Sequence, residues 1–107
     1  MLFRSVVLQN LRDKKLTLGV AESVTGGLVS GRLTAIAGAS DVFRGAIVSY
    51  DSEIKFELLN VTRGPVVSEA AAKEMAIGVR KTLGSDIGLA LTGVAGPTEQ
   101  EIGRAHV

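Results

Sequence analysis

The chain has 107 residues, 46 % hydrophobic and 21 % charged, which fits one globular domain and excludes a disordered polar segment. Twelve Lys and Arg against eleven Asp and Glu leave a net charge of +1, so no broad basic face marks a nucleic-acid or anionic-membrane partner. With no cysteine, one histidine (His106) and 4 % aromatics, a disulfide framework, a thiol nucleophile, a zinc-finger site and a base-stacking platform all fall away.

Phe3, Val7, Leu8 and Leu11 recur at helical spacing, and Arg12, Lys14 and Lys15 place positive charge at the C-terminal end of this first helix. Leu16–Ala21 then reads as a short apolar strand. A second helix is expected from about Thr25 to Ala37, stopped by Gly38. Gly45–Tyr50 is the second strand. Asp51 or Ser52 can cap a short helix holding Ile54, Leu58 and Leu59, and residues 60–65 form a loop. Ser68 caps the clearest helix: Ala71, Ala72, Met75, Ala76, Val79 and Leu83 form one apolar stripe, and Gly84 ends it. Asp86–Thr92 is the third strand, running into the turn-rich Gly93–Pro97.

Helices alternating with short apolar strands predict an α/β domain with a buried, at least partly parallel sheet. Residues 1–107 read as one domain. Ile87–Leu91 is apolar on both faces, as suits a central strand. Ile102–Val107 resembles the start of a further strand, so the domain is expected to be incomplete at its C-terminus and to self-associate as a two-fold dimer. No apolar run reaches the ~20 residues of a membrane span, and the start lacks a signal-peptide core, so the chain reads as cytoplasmic.

Ligands in parallel sheets sit beyond the carboxyl ends of the strands. Three segments lie there: Glu22–Gly27, Tyr50–Lys55 and Thr92–Pro97. In the first, Ser23 follows a strand and Thr25-Gly26-Gly27 opens a helix, so its hydroxyl is expected near helix-terminal N–H groups able to hold an oxyanion or phosphate. The plain alternative is that Ser23 or Thr25 merely caps the helix. Gly26 and Gly31 have Walker A spacing, but Arg32 and Leu33 replace the Lys and Ser/Thr such a loop needs. In the second segment, Lys55 falls in the first turn of a helix, where the dipole disfavours its charge and can make it a general base. A solvated surface lysine is the ordinary alternative, and Ser52-x-x-Lys55 is a rival dyad. The third segment reads as a backbone-rich ligand loop or a simple turn. His106 lacks a partner at ligand spacing.

These residues together resemble the family of the C-terminal domain of competence/damage-inducible protein CinA. The match lies in Ala21-Glu22-Ser23-Val24-Thr25-Gly26-Gly27, Gly38-Ala39-Ser40 with Phe43 and Gly45, Tyr50…Lys55, Val67-Ser68 and Thr92-Gly93-Val94-Ala95-Gly96-Pro97. The resemblance implies a three-layer α/β/α sandwich with a mixed, partly parallel sheet, and an amidohydrolase converting nicotinamide mononucleotide to nicotinic acid mononucleotide and ammonia, with no cofactor and no metal. It implies Ser23 as nucleophile, with Lys55 and Tyr50 catalytic beside it. Glu22, Thr25, Gly26, Gly27, Ser68, Thr92, Gly93 and Gly96 would line the nucleotide site. Val24 stands where the family often has Cys, and the pattern shortens after Pro97. The competing expectation is a non-catalytic nucleotide- or protein-binding module.

Overall fold

In the computed structural model, residues 2–93 are described. They form α1 (Leu2–Asp13), β1 (Leu18–Glu22), α2 (Leu28–Thr34), β2 (Phe43–Val48), α3 (Ser52–Leu59), α4 (Glu69–Leu83) and β3 (Ile87–Leu91), with a short 3₁₀ turn at Ala39–Asp41 before β2. The strands make one sheet in the order β2-β1-β3, and both pairings are parallel. No antiparallel strand joins them among the described residues.

Alternation along the strands sends apolar side chains to both faces, so each face needs its own cover. On one face Leu18 and Val20 of β1 pack with Leu8 of α1, Leu33 of α2, Ala39, Val42 and Leu91. On the other, Ala21 and Ala90 pack with Leu59 of α3, Val61 and the α4 stripe Ala71, Met75 and Val79. The three expected layers are therefore present. The helix of α4 lies so close to its neighbours that two glycines are required: a Cβ on Gly78 would meet the Leu59 carbonyl oxygen at 2.1 Å, and one on Gly88 the Ala76 carbonyl oxygen at 2.0 Å.

Three expectations change. Among the described residues the central strand is β1, every residue of which is buried, and β3 has one strand neighbour. The connection from β2 to β3 carries α3 and α4 across β1, and local apolarity cannot reveal that crossover. The second helix starts at Leu28 and not near Thr25, because Gly26 and Gly27 adopt φ of 63° and 105°, outside the helical region. It ends at Thr34, and Gly38, at φ 81°, precedes the 3₁₀ turn. The strands also shift by a residue or two: β1 runs to Glu22 and β2 stops at Val48. Ser68 caps α4 as expected, accepting from the Ala71 N–H at 3.0 Å, and Asp51 caps α3 through the Glu53 N–H.

The chain leaves β1 for α2 on one face and leaves β2 for α3 on the other. Adjacent parallel strands whose connections depart to opposite faces open a crevice between their carboxyl ends. Ser23–Gly27 and Ser49–Lys55 form its two lips. The expected Ile102–Val107 strand and the segment Val94–Pro97 lie outside the described residues.

Candidate functional site at the carboxyl ends of the first two strands

The lips are tied together by backbone bonds that continue the sheet past its formal ends. Ser49 donates to the Glu22 carbonyl through both its N–H (2.7 Å) and its Oγ (3.1 Å), and the Ser23 N–H donates to the Leu91 carbonyl at 3.1 Å. The Ser23 carbonyl accepts from the Gly26 N–H at 3.0 Å, which closes the turn leading to α2. Residue 23 is thus held from both sides. Its side chain is buried, 5 % exposed, and its hydroxyl has no hydrogen-bond partner among the described residues.

Lys55 enters from the first turn of α3 and is 2 % exposed. Its Nζ donates to the Ser49 carbonyl at 2.7 Å. An ammonium group has three donors, and this is the one acceptor it finds among the described residues. Burial drives its pKa below the ordinary lysine value, opposed only in part by the Asp51 carboxylate. The shift expected from sequence is therefore present, with desolvation as its leading cause. Nothing bonds Nζ to Ser52, so the rival Ser52–Lys55 dyad is not assembled here.

Glu22 is fully buried, and its carboxylate faces α2, as the alternation Leu18, Val20, Glu22 requires. Oε1 accepts from Thr25 Oγ1 (2.6 Å), the Gly27 N–H (3.0 Å) and the Val29 N–H (3.1 Å). Oε2 accepts from the Ser30 N–H (2.7 Å) and from Ser30 Oγ. Burial by itself raises the pKa of this carboxyl. The hydrogen bonds from Ser30 and Thr25 outweigh that and hold it below the ordinary range. This corrects a sequence expectation. The first amides of α2 are occupied by Glu22, so they are not open beside Ser23 for an oxyanion or phosphate. Neither Ser23 nor Thr25 is the cap, for the N-cap residue is Gly27, which has no capping side chain.

The remaining expected residues divide. Tyr50 stands at the rim of the crevice, 66 % exposed. Gly26 and Gly27 form the turn before α2, where a Cβ on Gly27 would lie 3.6 Å from Val48 Cγ2. Ser68 spends its hydroxyl on the α4 cap. Thr92 is buried and donates from Oγ1 to the Val66 carbonyl at 3.1 Å, pinning the segment before α4 to the end of β3. Gly93 directly follows the β3 end, while Gly96 and His106 lie outside the described residues. Ser49 was missed by sequence reading, although a small polar residue closing an apolar strand is the available signal. Among the described residues no three His, Asp or Glu side chains cluster to hold a metal ion.

The family model for the CinA C-terminal domain matches residues 3–106. The chain belongs to this family. A CinA-like protein of Frankia casuarinae is 51 % identical over 110 residues, covering 95 % of this chain and 25 % of that protein. One of Dictyoglomus turgidum is 46 % identical over 112 residues, covering 95 % of this chain and 27 % of that protein. Among solved structures, a CinA superfamily protein from Escherichia coli superposes with a TM-score of 0.88 at 31 % identity, covering 94 % of this chain and 62 % of that one. A competence or damage-inducible protein from Enterobacter asburiae gives 0.87 at 33 % identity, covering 95 % of this chain and 67 % of that one. The chain thus spans about a quarter of the length of these curated CinA-like relatives.

Proposed function

We propose that this CinA-family chain carries the nucleophile and base of an amidohydrolase that converts nicotinamide mononucleotide to nicotinic acid mononucleotide and ammonia. The observation that carries the reading is a buried serine whose hydroxyl has no partner among the described residues and a buried lysine whose charge burial disfavours, both set where the connections of β1 and β2 part. A hydroxyl becomes a nucleophile when a base takes its proton, and a lysine whose charge burial disfavours supplies that base without histidine.

In this reading Ser23 Oγ attacks the carboxamide carbon while its proton passes to neutral Lys55 Nζ. The resulting ammonium returns the proton to the amide nitrogen as the C–N bond breaks, and ammonia leaves. Water then attacks the seryl ester, giving its proton to Lys55, and the acid is released with Ser23 restored. In this reading Tyr50 contacts the substrate, and Gly26, Gly27, Thr92 and Gly93 line the nucleotide site. The substrate is a free small-molecule nucleotide, and the enzyme works in the cytoplasm as a two-fold dimer. No helix among the described residues is long and apolar enough to cross a membrane.

The test is ammonia release from nicotinamide mononucleotide by the intact protein, with the acid product identified by mass spectrometry. Release abolished by Ser23→Ala and by Lys55→Met supports the reading. A folded protein that binds the nucleotide without releasing ammonia favours the binding-module alternative instead.

A further inference from the structure

We propose that Glu22 is a positioning residue for Ser23: its buried carboxylate brackets residues 25–30 and fixes the turn that presents the neighbouring hydroxyl, without touching substrate. The inference rests on the reading of Ser23 as the nucleophile.

Two carboxylate oxygens offer about four lone-pair sites. Five donors converge on them here, from Thr25, Gly27, Val29 and twice from Ser30. Nothing is left over for a ligand, and the side chain is inaccessible to one. An ionised carboxylate buried without a cationic partner is costly unless hydrogen bonds replace its hydration. None of the ion pairs among the described residues includes it. The arrangement therefore holds a charge in place with dipoles alone, one residue before the proposed nucleophile.

What the carboxylate holds is a turn with little else to define it. Gly26 and Gly27 have the widest backbone freedom of any residue, and α2 has no capping side chain at Gly27. The Gly27, Val29 and Ser30 amides find their acceptor on Glu22 and would lose it together. Ser23 shares this turn through its carbonyl, which accepts from the Gly26 N–H. Loosening the bracket displaces the turn, and a displacement of about 1 Å at a reacting group can lower a rate about 100-fold.

Glu22→Gln keeps the shape but turns an NH₂ group toward the Ser30 N–H, donor against donor. Ser30→Ala removes a single donor and leaves the carboxylate. In the intact protein, Glu22→Gln is expected to lower kcat by about 10- to 100-fold with KM for nicotinamide mononucleotide within about threefold of wild type. Ser30→Ala is expected to move kcat in the same direction by less. Labelling of Ser23 by a small fluorophosphonate, which needs no nucleotide contact, should slow in parallel. A merely structural role would reduce the folded fraction and leave kcat per folded molecule unchanged, so both rates are referred to the folded fraction from thermal unfolding. If Glu22→Gln does not fold, Ser30→Ala decides. Wild-type rates in the folded variants, or a loss confined to KM, overturn the inference. A wild-type protein that neither releases ammonia nor labels at Ser23 overturns the underlying nucleophile reading, an outcome visible before any variant is made.

Discussion

Ser23→Ala should separate function from stability, because in the proposed chemistry the same hydroxyl serves one at the expense of the other. Ser23 is buried, and its Oγ finds no partner among the described residues, while its N–H and carbonyl are both bonded. A buried polar group without a partner costs about 1–3 kcal/mol. Alanine removes the oxygen, leaves both backbone bonds and creates almost no cavity. Taking the low end, the variant recovers about 1 kcal/mol, which in a domain near this size raises Tm by about 4–8 °C. Catalysis should fall on the order of 10⁴- to 10⁶-fold, as when a nucleophile is deleted. Thermal unfolding followed by circular dichroism, beside ammonia release from nicotinamide mononucleotide, reads both quantities on one preparation. A Tm lowered by several degrees would show that the hydroxyl has a stabilising partner, and retained turnover would remove Ser23 from the chemistry.

Lys55→Met should abolish turnover, and Lys55→Arg should not restore it, because a guanidinium remains protonated and cannot act as base; turnover by the Arg variant would refute the base role. Because burial lowers the Lys55 pKa, the unfolded chain binds the extra proton between the folded value and the ordinary 10.5, so stability in that window rises with pH. Wild type should accordingly gain stability relative to Lys55→Met as pH climbs toward 10.5, and a parallel pair of urea-derived stability profiles would contradict the burial. Gly88→Ala and Gly78→Ala push a Cβ to within 2.0 and 2.1 Å of backbone carbonyl oxygens, so each should cost about 3 kcal/mol or more in urea unfolding. Gly31→Ala, with nothing within 4 Å of the added carbon, should instead be neutral or stabilise by about 0.5–1 kcal/mol, and equal losses at all three sites would dismiss the steric argument. Sedimentation should find a dimer of the intact protein, and a monomer across micromolar concentrations would refute the assembly proposal.

Local signals were legible where local chemistry decides the structure. Ser68 and Gly84 bracket α4 because a hydroxyl accepts a free N–H of the first turn and a glycine takes the left-handed turn, and both acts lie within a few residues. Asp51 capping α3, and hence Lys55 in its first turn, follows from the same short-range logic. The start of α2 was not legible, because its cap comes from Glu22, five residues before Gly27 and on another element. The order of the strands was not legible either. The apolar runs of β1 and β3 look alike, and only the passage of α3 and α4 over β1 makes β1 central. Exposure also escaped the sequence: Tyr50 and Lys55 sit five residues apart in one motif, yet one is at the surface and the other buried.

The same crossover that hid the strand order explains why the polar residues gather where they do. A central parallel strand must be apolar along its length, since helices cover both of its faces. Polar groups are admissible only at its carboxyl end, where the connections of β1 and β2 part and leave a gap between layers. Glu22, Ser23, Ser49 and Lys55 are all buried, and all stand at that end. Each is satisfied to a different degree. Glu22 is saturated by donors, and Ser49 bonds at its N–H, carbonyl and hydroxyl. Lys55 has one acceptor among the described residues, and the Ser23 hydroxyl has none. A purely structural polar cluster is selected toward full satisfaction, because each unmade bond weakens the fold. Here satisfaction falls off from Glu22 and Ser49 to Lys55 and Ser23, the two groups the proposed chemistry must leave free to exchange a proton. The gradient therefore matches the proposed division into a frame of Glu22 and Ser49 and a reactive pair of Ser23 and Lys55.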